Sequence, residues 1–196
     1  MATLKGGDKL KAYIEQLAGK VKSATVQVGF FESETYPDGT FVAAVAAANE
    51  FGATINVPAH KQDIYKKLNA AGTDLLRQGR FVREEISNFA QEVSVPAHTI
   101  KIPSRPFFRN MIAKEKKGWA AVVAANLKDT KFDVVKTLDR TGELIAGQLV
   151  ASITEGPFAP NAPSTIAAKG FSTPLISSGR LRRSVDHKVT TGQETT

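Results

Sequence analysis

The feature that most constrains the fold is the stretch Lys101–Ile112, KIPSRPFFRNMI, where Pro103 and Pro106 bracket Ser104 and Arg105. The residues before it alternate as a strand does, and the residues after it follow a helical period. Proline fixes φ and biases the preceding residue toward extended geometry, so the chain must pass from strand to helix through a stiff elbow. Pro106 suits the first turn of a helix, where a missing N–H costs nothing. Phe107 and Phe108 follow in that turn, between Arg105 and Arg109. Neighbouring side chains on a helix point about 100° apart, so one Phe can face a core while the other faces away. Two readings fit: a buried helix start, or a rigid corner that presents Arg105, Phe107, Phe108 and Arg109 to another molecule.

Around the elbow the periodicity reads as α+β. Asp8 can cap a helix whose apolar stripe is Leu10, Tyr13, Ile14, Leu17 and Val21, with Lys9, Lys11, Lys20 and Lys22 on its other face. Residues 23–31 alternate as a strand, with Val26, Val28 and Phe30 on one side. A turn is expected at Pro37-Asp38-Gly39, then an Ala-rich helix over 41–51 capped by Thr40 and stopped by Gly52. Two helices follow the elbow, about 106–127 and 130–155, with Thr130 as the second cap. They are expected to pair antiparallel over the sheet, with Gly142, Ala146 and Gly147 allowing close helix contact. Pro163-Ser164 can start a short helix that Gly170 ends, Gly179 marks a turn, and Ser184–Val189 alternate as a last strand.

Between these parts, VPAH occurs twice, at Val57–His60 and Val95–His98. If the copies pair antiparallel with positions adding to 158, residues 57–103 form a long hairpin arm closing near Gly79, with short β-like pieces at IYKKL and RFVRE. The other reading of this segment is a disordered loop. Pro58 and Pro96 belong at strand edges or bends. A lone two-stranded ribbon is barely stable in water, so the arm is expected to lie on another subunit, with Tyr65 and Phe81 among its contact residues. The expected fold is therefore α+β: a small antiparallel or mixed sheet against two long helices, with a projecting hairpin arm. The core would be residues 1–56 and 104–189, the arm 57–103 and a solvated tail 190–196.

The net charge of +7 is unevenly spread. From Glu32 to Asn56 there are four acids (Glu32, Glu34, Asp38, Glu50) and no Lys or Arg. Such segregation can serve head-to-tail self-association, or it can reflect ordinary solvated faces. Arg180, Arg182, Arg183 and Lys188 make a basic group, and Lys114, Lys116 and Lys117 another, so non-specific DNA contact stays open. The chain has no cysteine, which removes disulfides and thiolate metal ligands. His60 and His98 would approach each other in the proposed arm, but a surface role fits them better than a metal site. Glu84 and Glu85 are adjacent on a β-like run and would point to opposite faces, so they make a poor catalytic pair. No P-loop, dinucleotide fingerprint or nucleophile elbow occurs, so neither enzyme activity nor a cofactor is expected. The N-terminal sequence has no apolar core of a signal peptide and no run long enough to span a membrane, so no membrane association is expected.

Four segments taken in order resemble a known family. They are VGFFESETYPDGTFVAAVAAANEFG, IPSRPFFRNMI, NAPSTIAAKG and PLISSGRLRRSV. This combination is similar to the tail-completion or neck proteins of tailed bacteriophages, also called virion morphogenesis proteins, across about residues 23–189. Arg105, Pro106 and Phe107 match the family's Arg-Pro-Phe, and Gly179–Arg182 match its Gly-x-Leu-Arg. The resemblance implies a structural α+β subunit without enzyme activity or cofactor. It implies copies of itself in a ring, hexameric by analogy, at the head–tail junction. Portal-side connector proteins and tail terminator or tail tube proteins would be its neighbours, in the virion or, during assembly, in the host cytoplasm. A tail terminator and a non-specific DNA-binding protein are the alternatives. The interface candidates are Arg105, Phe107, Phe108, Arg109, Arg180, Arg182, Arg183, Glu32, Glu34, Asp38, Tyr65 and Phe81.

Overall fold

The computed structural model describes residues 7–31, 34–76, 81–176 and 178–192. The chain is α+β and divides into two compact units, one of residues 1–52 and 103–196, the other of residues 53–102. The element order is α1 (Gly7–Ser23), β1 (Ala24–Phe30), α2 (Val42–Phe51), β2 (Ala53–Val57), β3 (His60–Lys66), β4 (Phe89–Val95), β5 (His98–Ile102), α3 (Phe107–Asp129), α4 (Val134–Glu155), α5 (Pro163–Lys169), α6 (Arg180–Arg183) and β6 (Val185–Thr191). Among the described residues no helix is long and apolar enough to cross a membrane.

In the first unit, β1 and β6 form a two-stranded antiparallel sheet, in register from Ala24 opposite Thr191 to Phe30 opposite Val185. Val26, Val28 and Phe30 turn partly inward while Thr25 and Gln27 face solvent, as their alternation requires. Thr190 and Thr191, expected in the tail, instead complete this ladder opposite Thr25 and Ala24. Their β-branched side chains fit a strand, and a polar composition alone had concealed that. Residues 193–196 of the expected tail lie outside the described residues.

α4 lies along the sheet, α3 packs antiparallel on α4, and the first turn of α3 also reaches the sheet, where Phe107 and Phe108 lie against Phe30 and Gly29. The expected antiparallel helix pair against the sheet is therefore present, with α4 making the larger share of the contact. Gly142 is the point of closest approach: a Cβ there would sit 2.5 Å from His187 Cδ2 and 2.7 Å from a Val26 methyl. The glycine therefore serves contact with the strands, while Gly147 has open space around it and serves no close helix contact. The buried side of α4 includes Thr137 and Thr141 along with Ile145, Leu149 and Ile153, whereas Val135 is exposed. Both threonine hydroxyls bond backbone carbonyls one turn back, and Asn126 on α3 donates to Thr141, so polar residues can occupy the seam. Trp119 Nε1 donates to Gln148 across the same seam.

Three expected caps move. Asp8 lies within the first turn of α1, one residue after its start at Gly7. The residue ahead of α2 is Phe41, not Thr40, because Thr40 is tied into the preceding turn: its N–H donates to Asp38 and its carbonyl accepts from Tyr36. Asp133, not Thr130, caps α4, accepting from Lys136 N at 3.1 Å. Thr130 ends α3 instead and bonds Thr137. Between the helices Lys131 and Phe132 adopt positive φ (54° and 65°), a conformation that non-glycine residues rarely take.

The second unit is a two-stranded ribbon in two antiparallel segments, β2–β5 and β3–β4. Opposed positions add to 155 throughout, so Val57 faces His98 and His60 faces Val95. The expected register of 158 is corrected by three: antiparallel pairing sets the first residue of one VPAH against the last of the other, not like against like. The ladder breaks at Pro58-Ala59 and Pro96-Ala97, where two N–H donors are missing. Beyond β3, a Leu68–Leu75 bridge and a short 3-10 turn at Glu84–Ile86 make up the far end. RFVRE is thus not a strand in its described part, residues 81–84, and Gly79 lies outside the described residues.

Candidate interaction surfaces

The elbow is held by a residue the sequence reading placed only in an acidic surface segment. Glu50, 5% exposed, reaches from α2 to the start of α3. Its carboxylate accepts from Phe108 N (2.8 Å), Arg109 N (3.1 Å) and Arg109 Nε (2.9 Å). Its carbonyl accepts from Ser104 Oγ and Arg109 Nη2. Pro106 at the helix entrance offers no side-chain cap, so Glu50 supplies one from another element, with its charge at the positive end of the helix dipole.

Arg105 is buried in a second network. Its guanidinium donates to Asn49 Oδ1 (2.8 Å), Ala159 O (3.2 Å) and Asn161 Oδ1 (3.4 Å), and its backbone N–H donates to Asn49 O. Burial lowers its pKa from the ordinary arginine value. Asn161 passes the network on to the carbonyls of Ser172 and Thr173. Phe107 is fully buried and meets Phe30 edge-on at 6.2 Å. Of the four elbow candidates, Arg105 and Phe107 are therefore turned into the fold and offer no outer surface. Phe108 is half-buried, and Arg109 lies over the exposed ring of Phe51 at 5.2 Å.

Phe108, Phe51 and Phe30 wall an open groove of about 330 Å³ with Ala43, Ala46 and Ala47 along its α2 side. The loop from β1 to α2 carries the exposed Glu34 and Asp38. Asp38 accepts from Thr40 N–H, which holds its carboxyl below the usual range. Glu32 lies outside the described residues. Because Glu50 is buried in the elbow, the exposed acidic charge of the described part of this segment is Glu34 and Asp38.

The basic cluster sits on one helical turn, α6, after a left-handed Gly179. Arg180 is half-buried, donates to Thr35 O and lies over Tyr36 at 6.0 Å. Burial raises the Tyr36 phenol pKa, against the nearby Arg180 charge. Arg182 and Arg183 are exposed.

On the ribbon, Ala53, Ile55 and Val57 share a face with Ile102, Ile100 and His98, while Thr54, Asn56, Thr99 and Lys101 take the other. Ile55 and Ile100 are 46% and 45% exposed. The apolar side falls on odd positions in β2 and on even ones in β3, so its parity changes at VPAH. Each VPAH histidine makes the same contact, Nδ1 to the carbonyl of its own proline at 3.0 Å. Since each histidine opposes a valine, the expected His60–His98 approach is corrected, and among the described residues no group of three or more candidate ligands gathers. Tyr65 is half-buried with its pKa raised, first by desolvation and then by the charges of Glu84 and Asp63. Phe81 is exposed beneath Lys66, 5.7 Å from its ring. The described candidates thus fall in four places, and among them only Phe107, Phe108 and Arg109 share the groove.

Comparison with protein-family models, with curated proteins and with solved structures found no match for this chain.

Proposed function

We propose that this chain is a structural subunit of a tailed-phage particle, assembling with copies of itself as a ring at the head–tail junction. One observation supports this most: the β2–β5 ribbon is two strands wide and leaves Ile55 and Ile100 about half exposed on a face that is apolar but for His98. An uncovered apolar ribbon is a surface for association rather than for water. The four ordered segments that resemble tail-completion proteins supply the particular setting. The neighbours would be portal-side connectors and the terminator or tube of the tail. Mass photometry and electron microscopy of the purified protein, with mass spectrometry of virions, test the reading. A ring and a virion component are expected, and absence of the chain from virions overturns it. Exposed Arg182 and Arg183 favour a second reading, non-specific DNA contact. That reading requires salt-dependent retention on DNA that is lost when both become alanine.

A further inference from the structure

We infer that the apolar stripe of α1 seats in the Phe30–Phe51–Phe108 groove of a second copy of this chain, so that each subunit offers a helix at one end and a groove at the other. The inference rests on the reading of the protein as a self-assembling subunit and names the surfaces that join it.

α1 is an amphipathic helix without a cover. Tyr13, Ile14 and Val21 are 48%, 54% and 50% exposed, and with Leu17 they follow one stripe at a 3.6-residue period. A helix of this length is marginal alone, and most helical stability in proteins comes from packing such a stripe. The groove has the matching shape and chemistry. Alanines along α2 let a helix backbone approach closely, and phenylalanines form its walls. A helix laying spaced apolar anchors into an apolar groove is a recurring mode of recognition.

The charges agree. The loop that joins the Phe30 wall to the Ala43 side carries exposed Glu34 and Asp38, and residues 34–56 contain no Lys or Arg. α1 carries Lys9, Lys11, Lys20 and Lys22 against Asp8 and Glu15. The groove's own cation, Arg109, is paired with Glu50, so the unpaired charge beside the groove is the acidic loop, and its sign opposite to that of α1 steers the encounter.

Chain geometry sets the occupant as another copy. α1 runs directly into β1 at Ala24, and the groove begins at Phe30, the far end of that strand. Six residues of strand span about 20 Å. α1 lies at the Ala24 end of β1, where Gln16, Gly19 and Lys20 border a cleft with residues 131–135 and Thr191, and no α1 residue lines the groove at the Phe30 end, so in this arrangement a subunit leaves its own groove open. A contact between unlike surfaces at opposite ends repeats head to tail, and it closes into a ring when the rotation allows.

Because the chain has no cysteine, cross-linking is clean. Ile14→Cys and Ala47→Cys are made on separate full-length chains, mixed and oxidised, with mass photometry of the unmodified protein run in parallel. The mixture is expected to give a disulfide-linked dimer holding one chain of each kind. Val21→Asp in the Ile14→Cys chain is expected to lower that yield about tenfold, since a buried unpaired charge costs well over 1.4 kcal/mol. The thermal midpoint of Val21→Asp should stay near the parent's because the side chain is half exposed. Oligomers without the mixed dimer overturn the docking and leave the ring reading intact. A parent that is monomeric both alone and on isolated particles, with no mixed dimer, overturns both. A chain bearing both cysteines that links only within itself overturns the inter-subunit contact.

Discussion

Glu50 is the residue whose removal most directly tests how the elbow is held. Two of its three carboxylate hydrogen bonds come from backbone N–H groups in the first turn of α3, and the third comes from Arg109 Nε. Hydrogen bonds to a charged acceptor contribute about 1.5–3 kcal/mol each, and loss of a helix cap costs about 0.5–2 kcal/mol. The guanidinium side of the pair is 56% exposed, so the ion pair itself adds at most about 1 kcal/mol. These contributions overlap. Glu50→Ala is expected to cost about 3 kcal/mol, and Arg109→Ala about 1 kcal/mol, because the backbone cap survives the second change. Glu50→Gln keeps the shape, but its NH₂ must face one donor, for a cost of about 1–2 kcal/mol. At about 2–4 °C per kcal/mol for a chain of this size, Glu50→Ala lowers the melting temperature by about 6–12 °C. Circular dichroism during thermal and urea unfolding measures all three. If Glu50→Ala and Arg109→Ala cost the same, and the double variant no more, the ion pair and not the helix cap holds the corner.

Two further outcomes follow from the geometry. Gly142→Ala places a methyl within 2.5–2.7 Å of His187 and Val26 and should cost about 1–3 kcal/mol in urea unfolding, whereas Gly147→Ala, with open space around it, should be neutral or stabilising. Asp133 caps α4, and hydrogen bonds from Lys136 N–H hold its carboxyl below the ordinary value. Its stabilisation is fully present above the unfolded carboxyl's pKa and is lost as pH falls through the lower folded value. Asp133→Ala should therefore lower the melting temperature at neutral pH, with the gap to the parent closing in acid; a gap independent of pH would remove the charged cap.

The helices and strands of the first unit were legible because their periods were long and unbroken, as in Val26–Phe30 and Ile145–Ile153. The ends were less legible because they depend on partners distant in sequence. Asp8 and Thr40 each satisfied a local capping rule, yet α1 starts ahead of Asp8, and Thr40 is bound into the turn made by Tyr36–Gly39. Thr137 and Thr141 looked polar, but an intrahelical hydroxyl bond lets a threonine be buried at little cost. Lys131 and Phe132 gave no signal at all: no glycine marks the left-handed turn they make between α3 and α4.

The elbow shows most clearly why local reading stops short. KIPSRPFFRN announces a strand-to-helix corner, but not which side of it is wet. Arg105 and Arg109 look equivalent in the sequence, four residues apart around two aromatics. Asn49, Ala159 and Asn161 converge on Arg105 from segments more than fifty residues away on either side, so it is buried. Arg109 pairs with Glu50 and stays largely exposed over Phe51. The same Glu50 that looked like part of an acidic surface is what allows the two prolines to open a helix without a cap of their own. Its burial removes a charge from the rim of the groove, so the acidic character of the described rim reduces to Glu34 and Asp38. The docking of α1 must then draw its electrostatic share from those two carboxylates. Changing both to the amides should weaken association and flatten its salt dependence while leaving the apolar contact in place. If association keeps its full salt dependence without them, the charges that steer it lie elsewhere and the groove is not where α1 binds.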